Sequence, residues 1–406
     1  MSKQKYRGLL IADLHLGAMN LEKQYEEIKN TIYSSIKTIH PDYIIFLGDY
    51  FDHKASLNDS ISYYSFKVFQ DILAILRDLS LNTKIRFIYG TESHEWNQYK
   101  IIENFKSEFD IRVIHYCEEE ELFPDVHVLY VPEEHLRNKS AYYKPFLENA
   151  EKYDYIFGHG CIREVMKIAA IANDKENENR KKVPFFTTGE LLYACRGQVF
   201  FGHYHIHTNI DDTIFYVGSF SRWCYGEEEE KGIYSTTLTI KNEKRTYDAE
   251  FIENPFATTY KTISFGYENS IFKDESIMTK KLDTVDSLLN DGTYDNVRYE
   301  FNIPPSSFNP EYIINYLKER YKYNRSVKVN IVHGYADEKK KQEKAEIETW
   351  TAQNAPLFDK SISIEDKVAF FIGLEFKREI PVERIKRYLN TPLSEILKKA
   401  EEDEVT

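Results

Sequence analysis

Short apolar runs, each ending in Asp, His or Gly, alternate with amphipathic stretches along the first half of the chain. Residues 7–12 (RGLLIA) read as a buried strand that stops at Asp13. Leu21, Tyr25, Ile28, Ile32 and Ile36 then recur at helical spacing, which predicts a helix over about 21–39. Residues 43–47 (YIIFL) form the next expected strand, ending at Gly48 and Asp49. A second helix is expected over about 61–79, and a third strand over 84–89 that ends at Gly90. Later, residues 155–157 lead into Gly158 and His159, and residues 199–201 lead into Gly202 and His203. Strands separated by helices of this length predict βαβ units and an α/β layered core.

Beyond these runs, residues 213–240 are rich in Thr, Tyr, Phe and Ile and predict a β meander. The pattern changes near Pro255. Over 260–332 it reads strand, helix, strand, helix, strand, which suits a small α+β domain. Residues 333–360 are charged, with Lys339, Lys340 and Lys341 amid glutamates, and read as a linker or a solvated helix. From Ser363 the pattern is helical again, with Ser363 and Asp366 spaced as a capping box and Pro392 after Thr391 marking a second start. The expected divisions are 1–255, 256–335, a linker over 336–362 and a helical tail over 363–406.

Composition narrows the picture in three ways. Four scattered cysteines without CxxC pairing predict reduced thiols in a cytoplasmic compartment. No apolar run is long enough to span a bilayer and no signal-peptide pattern is present, so a membrane partner is not expected. The net charge of −13 argues against a broad, passive grip on nucleic acid, which requires phosphate neutralisation. It does not exclude a nuclease, whose metal ions supply positive charge at the point of contact.

The chemistry lies at the strand ends. Asp13 and His15 are two residues apart and can project toward one centre, as can His203 and His205. Asp49, His94 and His159 each follow or lie near a glycine. Brought to the carboxyl edge of a sheet, these residues supply carboxylates and imidazoles for two divalent ions, with one Asp between them. Mixed oxygen and imidazole donors suit manganese, iron or zinc better than magnesium or calcium.

The order DxH, GDxxD, a GNHE-like segment, GH and GHxH resembles the signature of the calcineurin-like metallophosphoesterases, over about residues 1–235. The resemblance implies an α/β four-layer β-sandwich flanked by helices, with a small α+β capping domain and a C-terminal helical tail. It implies that Asp13, His15, Asp49 and His205 hold one metal and that Asp49, His159 and His203 hold the other. His94 would then act as a general acid on the leaving oxygen, with Asp52 beside it among the catalytic residues. One departure stands out. Ser93 occupies the place of the family's ligating Asn, so either Ser93 ligates, or a water completes the shell, or Glu92 reaches in. The second position is accordingly expected to be the looser one.

Residues 216–234 (YVGSFSRWCYGEEEEKGIY) and GDYFD with Asp52 resemble the SbcD-type nucleases, bacterial and phage relatives of the nuclease subunit of the MRN complex. That resemblance implies a DNA nuclease using two manganese ions, with iron, zinc or magnesium as alternatives in one position. It implies 3′-to-5′ exonuclease activity on duplex ends and endonuclease activity on single strands. The implied partners are DNA, an SbcC-type coiled-coil ABC ATPase docked on the helical tail, and a second copy of the chain in a homodimer. Candidate DNA contacts are His53 and Lys54 in the loop after Asp52, and Lys318, Arg320, Lys322 and Arg325, where basic and aromatic residues interleave. The alternative is a metallophosphoesterase acting on small molecules or phosphoproteins.

Overall fold

The computed structural model describes residues 4–56, 58–95, 97–134, 139–165, 185–265, 274–288, 295–303, 309–321, 327–331, 363 and 366–367. It divides into two compact units, Met1–Ile263 with Asp286–Tyr299, and Ser264–Val285 with Glu300–Thr406.

The first unit is built on two large mixed sheets with helices. Strands β1 (Gln4–Ile11), β2 (Tyr43–Leu47), β3 (Lys84–Ile88) and β4 (Ile111–Ile114) lie parallel in that order. Two antiparallel strands extend this sheet beyond β1, β13 (Gly232–Lys241) and β14 (Lys244–Glu253). The second sheet centres on three parallel strands, β6 (Val126–Val131), β7 (Tyr153–His159) and β10 (Cys195–Gly202). Strand β5 (Glu118–Phe123) flanks it on one side, with β12 (Ile214–Tyr216) and β11 (Thr208–Ile210) on the other, while β8 (Cys161–Ile162) and β9 (Phe185–Phe186) pair separately in parallel.

Side-chain alternation explains how the layers stack. Leu9 and Ile11 of β1, with Ile44 and Phe46 of β2, face a core shared with helices α1 (Leu21–Ile28), α2 (Ser34–Ile39) and α3 (Ser60–Asp78). Leu10, Tyr43, Ile45 and Leu47 face the opposite way and pack on Tyr155, Phe157 and Phe200 of the second sheet. The far side of that sheet, through Ile156, Val199 and Phe201, packs with Leu191 and Ala194 of a further helix (Thr188–Ala194). Central strands buried on both faces read as the continuous apolar runs seen in the sequence.

Two sequence expectations change here. The helix over 21–39 contains a π turn at Lys29–Tyr33 between α1 and α2. A π turn inserts one residue and rotates the downstream face, and here Thr31, Ile32 and Tyr33 are all buried. The expected meander over 213–240 is not one sheet: β12 belongs to the second sheet and β13 to the first, and the residues between them are not strand. That intervening segment is held by polar contacts at the site described below, which periodicity cannot register.

Strands β15 (Tyr260–Phe265), β16 (Asn296–Ile303) and β17 (Val327–Ile331) form a separate three-stranded sheet. The helices Glu275–Leu288 and Pro310–Arg320 alternate with these strands. In the second unit Met278, Leu282, Phe301, Ile313 and Leu317 are buried, and Phe301 stacks on Tyr321. The linker and nearly all of the helical tail lie outside the described residues. At its start, Ser363 Oγ accepts from Asp366 N at 3.2 Å, as a capping residue does. Among the described residues no helix is long and apolar enough to cross a membrane.

Candidate metal centre

Every carboxylate and imidazole of interest leaves the carboxyl end of a parallel strand. Asp13 and His15 follow β1, Asp49 follows β2, His94 follows β3, His159 ends β7, and His203 and His205 follow β10. The backbone there is unusual. Asp13 (φ 45°), His15 (φ 43°), Asp49 (φ 46°) and His203 (φ 94°) are non-glycine residues at positive φ, a costly conformation that concentrates at functional sites. Cross-loop hydrogen bonds hold it. His15 N donates to Asp49 O at 2.9 Å, and His203 N donates to the Asp13 carboxylate at 3.0 Å. The glycines make room: a Cβ on Gly48 (φ +85°) would lie 2.2 Å from His159 Nδ1, and one on Gly90 would lie 2.4 Å from Asp49 Oδ1.

The first convergence joins Asp13, His15 and His205. His205 Nδ1–H donates to Glu227 Oε1 at 2.7 Å, which turns the Nε2 lone pair inward. That atom lies 3.2 Å from His15 Nε2. Two nitrogens each about 2.1 Å from one ion, at angles between right and tetrahedral, are separated by roughly 3.0–3.4 Å, so the spacing suits shared ligation. Asp49 Oδ2 is 3.8 Å from His15 Nε2.

The second convergence joins Glu133, His159 and His203, and Asp49 lies between the two. His159 Nε2 is 3.3 Å from Asp49 Oδ2 and 3.6 Å from Glu133 Oε2, and His203 Nδ1 is 3.2 Å from Glu133 Oε2. His159 Nδ1–H donates to Leu47 O at 2.7 Å. Its Nε2 is buried without a hydrogen-bond partner and points at carboxylates. An orphaned imidazole nitrogen among acidic oxygens fits a divalent cation. Ser93 and Glu92 are exposed.

Glu133 was missed by sequence reasoning, although it obeys the rule that found the others: it follows the apolar run of β6 after Pro132. Glu227 was missed too. It sits within the segment resembling SbcD, where it holds His205 and accepts from Trp223 N at 2.7 Å. Lys231 of the same segment donates to His205 O at 2.9 Å.

A third group joins His15, Asp52 and His94. His94 Nδ1–H donates to the Asp52 carbonyl, leaving Nε2 to exchange a proton. Its ring meets His15 edge-on at 4.9 Å. The Asp52 carboxylate lies 3.5 Å from His15 Nδ1 and 3.1 Å from His53 Nδ1.

Charge reinforces this geometry. Burial alone would raise the Asp49 carboxyl, but His159, with His15 and His94, holds it well below the usual carboxylate range. Burial would lower His159, yet Asp49, Asp13 and Glu133 push it up to about 10. Glu133 resists burial in the same way and is lowered by His203 and His159. Burial opposes ionisation of Glu227, but His205 and Lys231 pull it down to about 2.

The candidate DNA contacts are placed as follows. His53 and Lys54 are exposed in the loop after Asp52, and Lys318 is exposed on its helix. Arg320 is half-buried, paired with Asp283 at 2.8 Å and Tyr316 OH at 2.9 Å. Lys322 and Arg325 lie outside the described residues.

No protein-family model and no curated protein matches the chain. Among solved structures, it is similar to a single-substitution mutant of Vps29 from Entamoeba histolytica. The identity is 10% and the TM-score 0.24, over 61% of this chain and 99% of that one. A likeness at that score establishes neither fold nor function.

Proposed function

We propose that this protein is a two-metal phosphoesterase of the calcineurin-like superfamily, with the four-layer sandwich implied by its motifs. One observation carries the reading: two sets of inward-facing ligand atoms, Asp13, His15 and His205 on one side and Glu133, His159 and His203 on the other, share Asp49. Two bound divalent cations would activate a water and stabilise the attacking and leaving oxygens of a phosphoester. The protein's own residues position and protonate. Leu47 O and Glu227 orient the His159 and His205 rings, and His94, fixed through Nδ1, offers Nε2 to the leaving oxygen. Asp52 acts through His15 and His53 as a positioning residue.

For the substrate, we propose DNA, with manganese as the metal and an SbcC-type ATPase as the partner on the helical tail. What supports this is the segment over 216–234, whose Glu227 and Lys231 grip His205, so the stretch resembling SbcD nucleases belongs to the site itself. Purified protein is to be incubated with manganese and linear duplex, single-stranded DNA or a simple aryl phosphodiester. Cleavage of DNA supports the nuclease. Turnover of the aryl ester alone would leave a phosphoesterase acting on smaller substrates, and no turnover of any would remove the enzymatic reading.

A further inference from the structure

We infer that Glu133 completes the second metal position, in the role that the family's motif gives to Asn and that Ser93, a water or Glu92 was expected to fill. The inference rests on the two-metal reading above. It makes this position a set of two carboxylates, Asp49 and Glu133, and two imidazoles, His159 and His203.

Burial separates the candidates first. The Glu133 side chain is fully buried, with 0% exposure, whereas Ser93 and Glu92 are exposed. Geometry agrees. Glu133 Oε2 stands 3.2 Å from His203 Nδ1 and 3.6 Å from His159 Nε2, a spacing suited to neighbouring ligands of one ion. Thr91, the residue directly after Gly90, spans the two acids. Its Oγ1 is 3.0 Å from Asp49 Oδ2 and 3.2 Å from Glu133 Oε2, and its N–H donates to Asp49 Oδ1 at 2.6 Å. Thr91 thus holds the carboxylates side by side at the turn where the family places its amide.

An independent observation points to a ligand. His159 commits Nδ1–H to Leu47 O, and its buried Nε2 faces Asp49 Oδ2 at 3.3 Å and Glu133 Oε2 at 3.6 Å with no hydrogen bond made. Carboxylates around a buried ring nitrogen require a positive charge among them, a proton on the ring when no ion is bound and the ion itself when one is. A divalent cation supplies that charge and accepts all of these donors.

The chemical consequence reverses the expectation of a loose second site. An amide oxygen is neutral, whereas Glu133 adds a full negative charge. With Asp49 shared, Asp13, Asp49 and Glu133 set three negative charges against the four of two divalent cations, and an oxygen-rich mixed set favours manganese or iron.

The test uses full-length protein stripped by chelation and titrated with manganese chloride. Bound ions are counted by mass spectrometry after desalting, and spin coupling between them is read by electron paramagnetic resonance. Wild type and Ser93→Ala are expected to hold two coupled ions, and Glu133→Ala one uncoupled ion. Glu133→Gln, which supplies an amide, should keep the second ion with affinity weakened about tenfold or more. If the alanine variant does not fold, the glutamine variant decides alone. Two ions at wild-type affinity in the Glu133 variants, or loss of an ion in Ser93→Ala, would overturn the assignment while the two-metal reading stands. A wild type that takes up no manganese would remove both.

Discussion

Glu95 offers the sharpest test of how the fold builds this site. Its buried carboxylate accepts from Tyr50 N at 2.7 Å, from Gly90 N at 2.5 Å and from the Tyr99 hydroxyl. Those two backbone amides belong to the loops after β2 and β3, which carry Asp49, Thr91 and His94. Replacing Glu95 with Ala strands three buried donors. Each costs about 1–3 kcal/mol when left unsatisfied, so a loss of roughly 3–9 kcal/mol is expected, relaxation placing it toward the lower end. Urea denaturation of metal-free protein at neutral pH measures it. The ionisation of Glu95 adds a second signature. Burial, and then the charge of Asp49, push its pKa up to about 7 from 4.5. The folded state therefore binds more protons than the unfolded state between those values, and this group's contribution to stability falls as pH rises from about 4.5 to 7. Glu95→Gln, which cannot ionise, should flatten that fall. An alanine variant within about 1 kcal/mol of wild type, together with an unchanged pH slope in Glu95→Gln, would refute the clamp.

Other outcomes follow from the same structure. His94→Gln should lower turnover by about 10²–10⁴-fold while leaving manganese uptake intact, checked by steady-state kinetics beside metal analysis. Glu227→Gln should weaken metal binding about 10–100-fold by freeing the His205 ring, measured by calorimetric titration. Gly48→Ala should cost about 1–2 kcal/mol from its positive φ alone, read by thermal denaturation, and should also disturb the bond from His159 to Leu47. Asp154, buried among Arg196, Arg245 and Tyr247, is held below its usual value of 3.8 because Arg196, Tyr247 and the His127 amide outweigh burial. Its stabilisation is present above about pH 4 and is lost as pH falls through the lowered value. Asp154→Ala should therefore cost about 3 kcal/mol at pH 7 and progressively less in acid, followed by denaturation across pH.

Much of this was legible in one dimension. Strands buried on both faces announce themselves as unbroken apolar runs, and β2 and β3 fall where residues 43–47 and 84–89 predict them. Residues forced into sharp turns at strand ends leave a local record as well, because Gly48 and Gly90 are needed for clearance and Asp and His follow them. The π turn left none, since Ile28, Ile32 and Ile36 are spaced as an uninterrupted helix would space them. Nor did the segment between β12 and β13, which is ordered by contacts with His205 rather than by periodicity.

The sequence by itself determined that Asp13, His15, Asp49, His94, His159, His203 and His205 would be presented at strand ends, because that follows from local pattern and turn chemistry. Only the tertiary structure decided which of them meet. His15 and His205 are 190 residues apart, and their contact depends on the two sheets aligning the ends of β1 and β10. The same alignment brings Glu133 to His203 and Glu227 to His205. Strand order is set by packing across the whole unit, so no local stretch of residues records it.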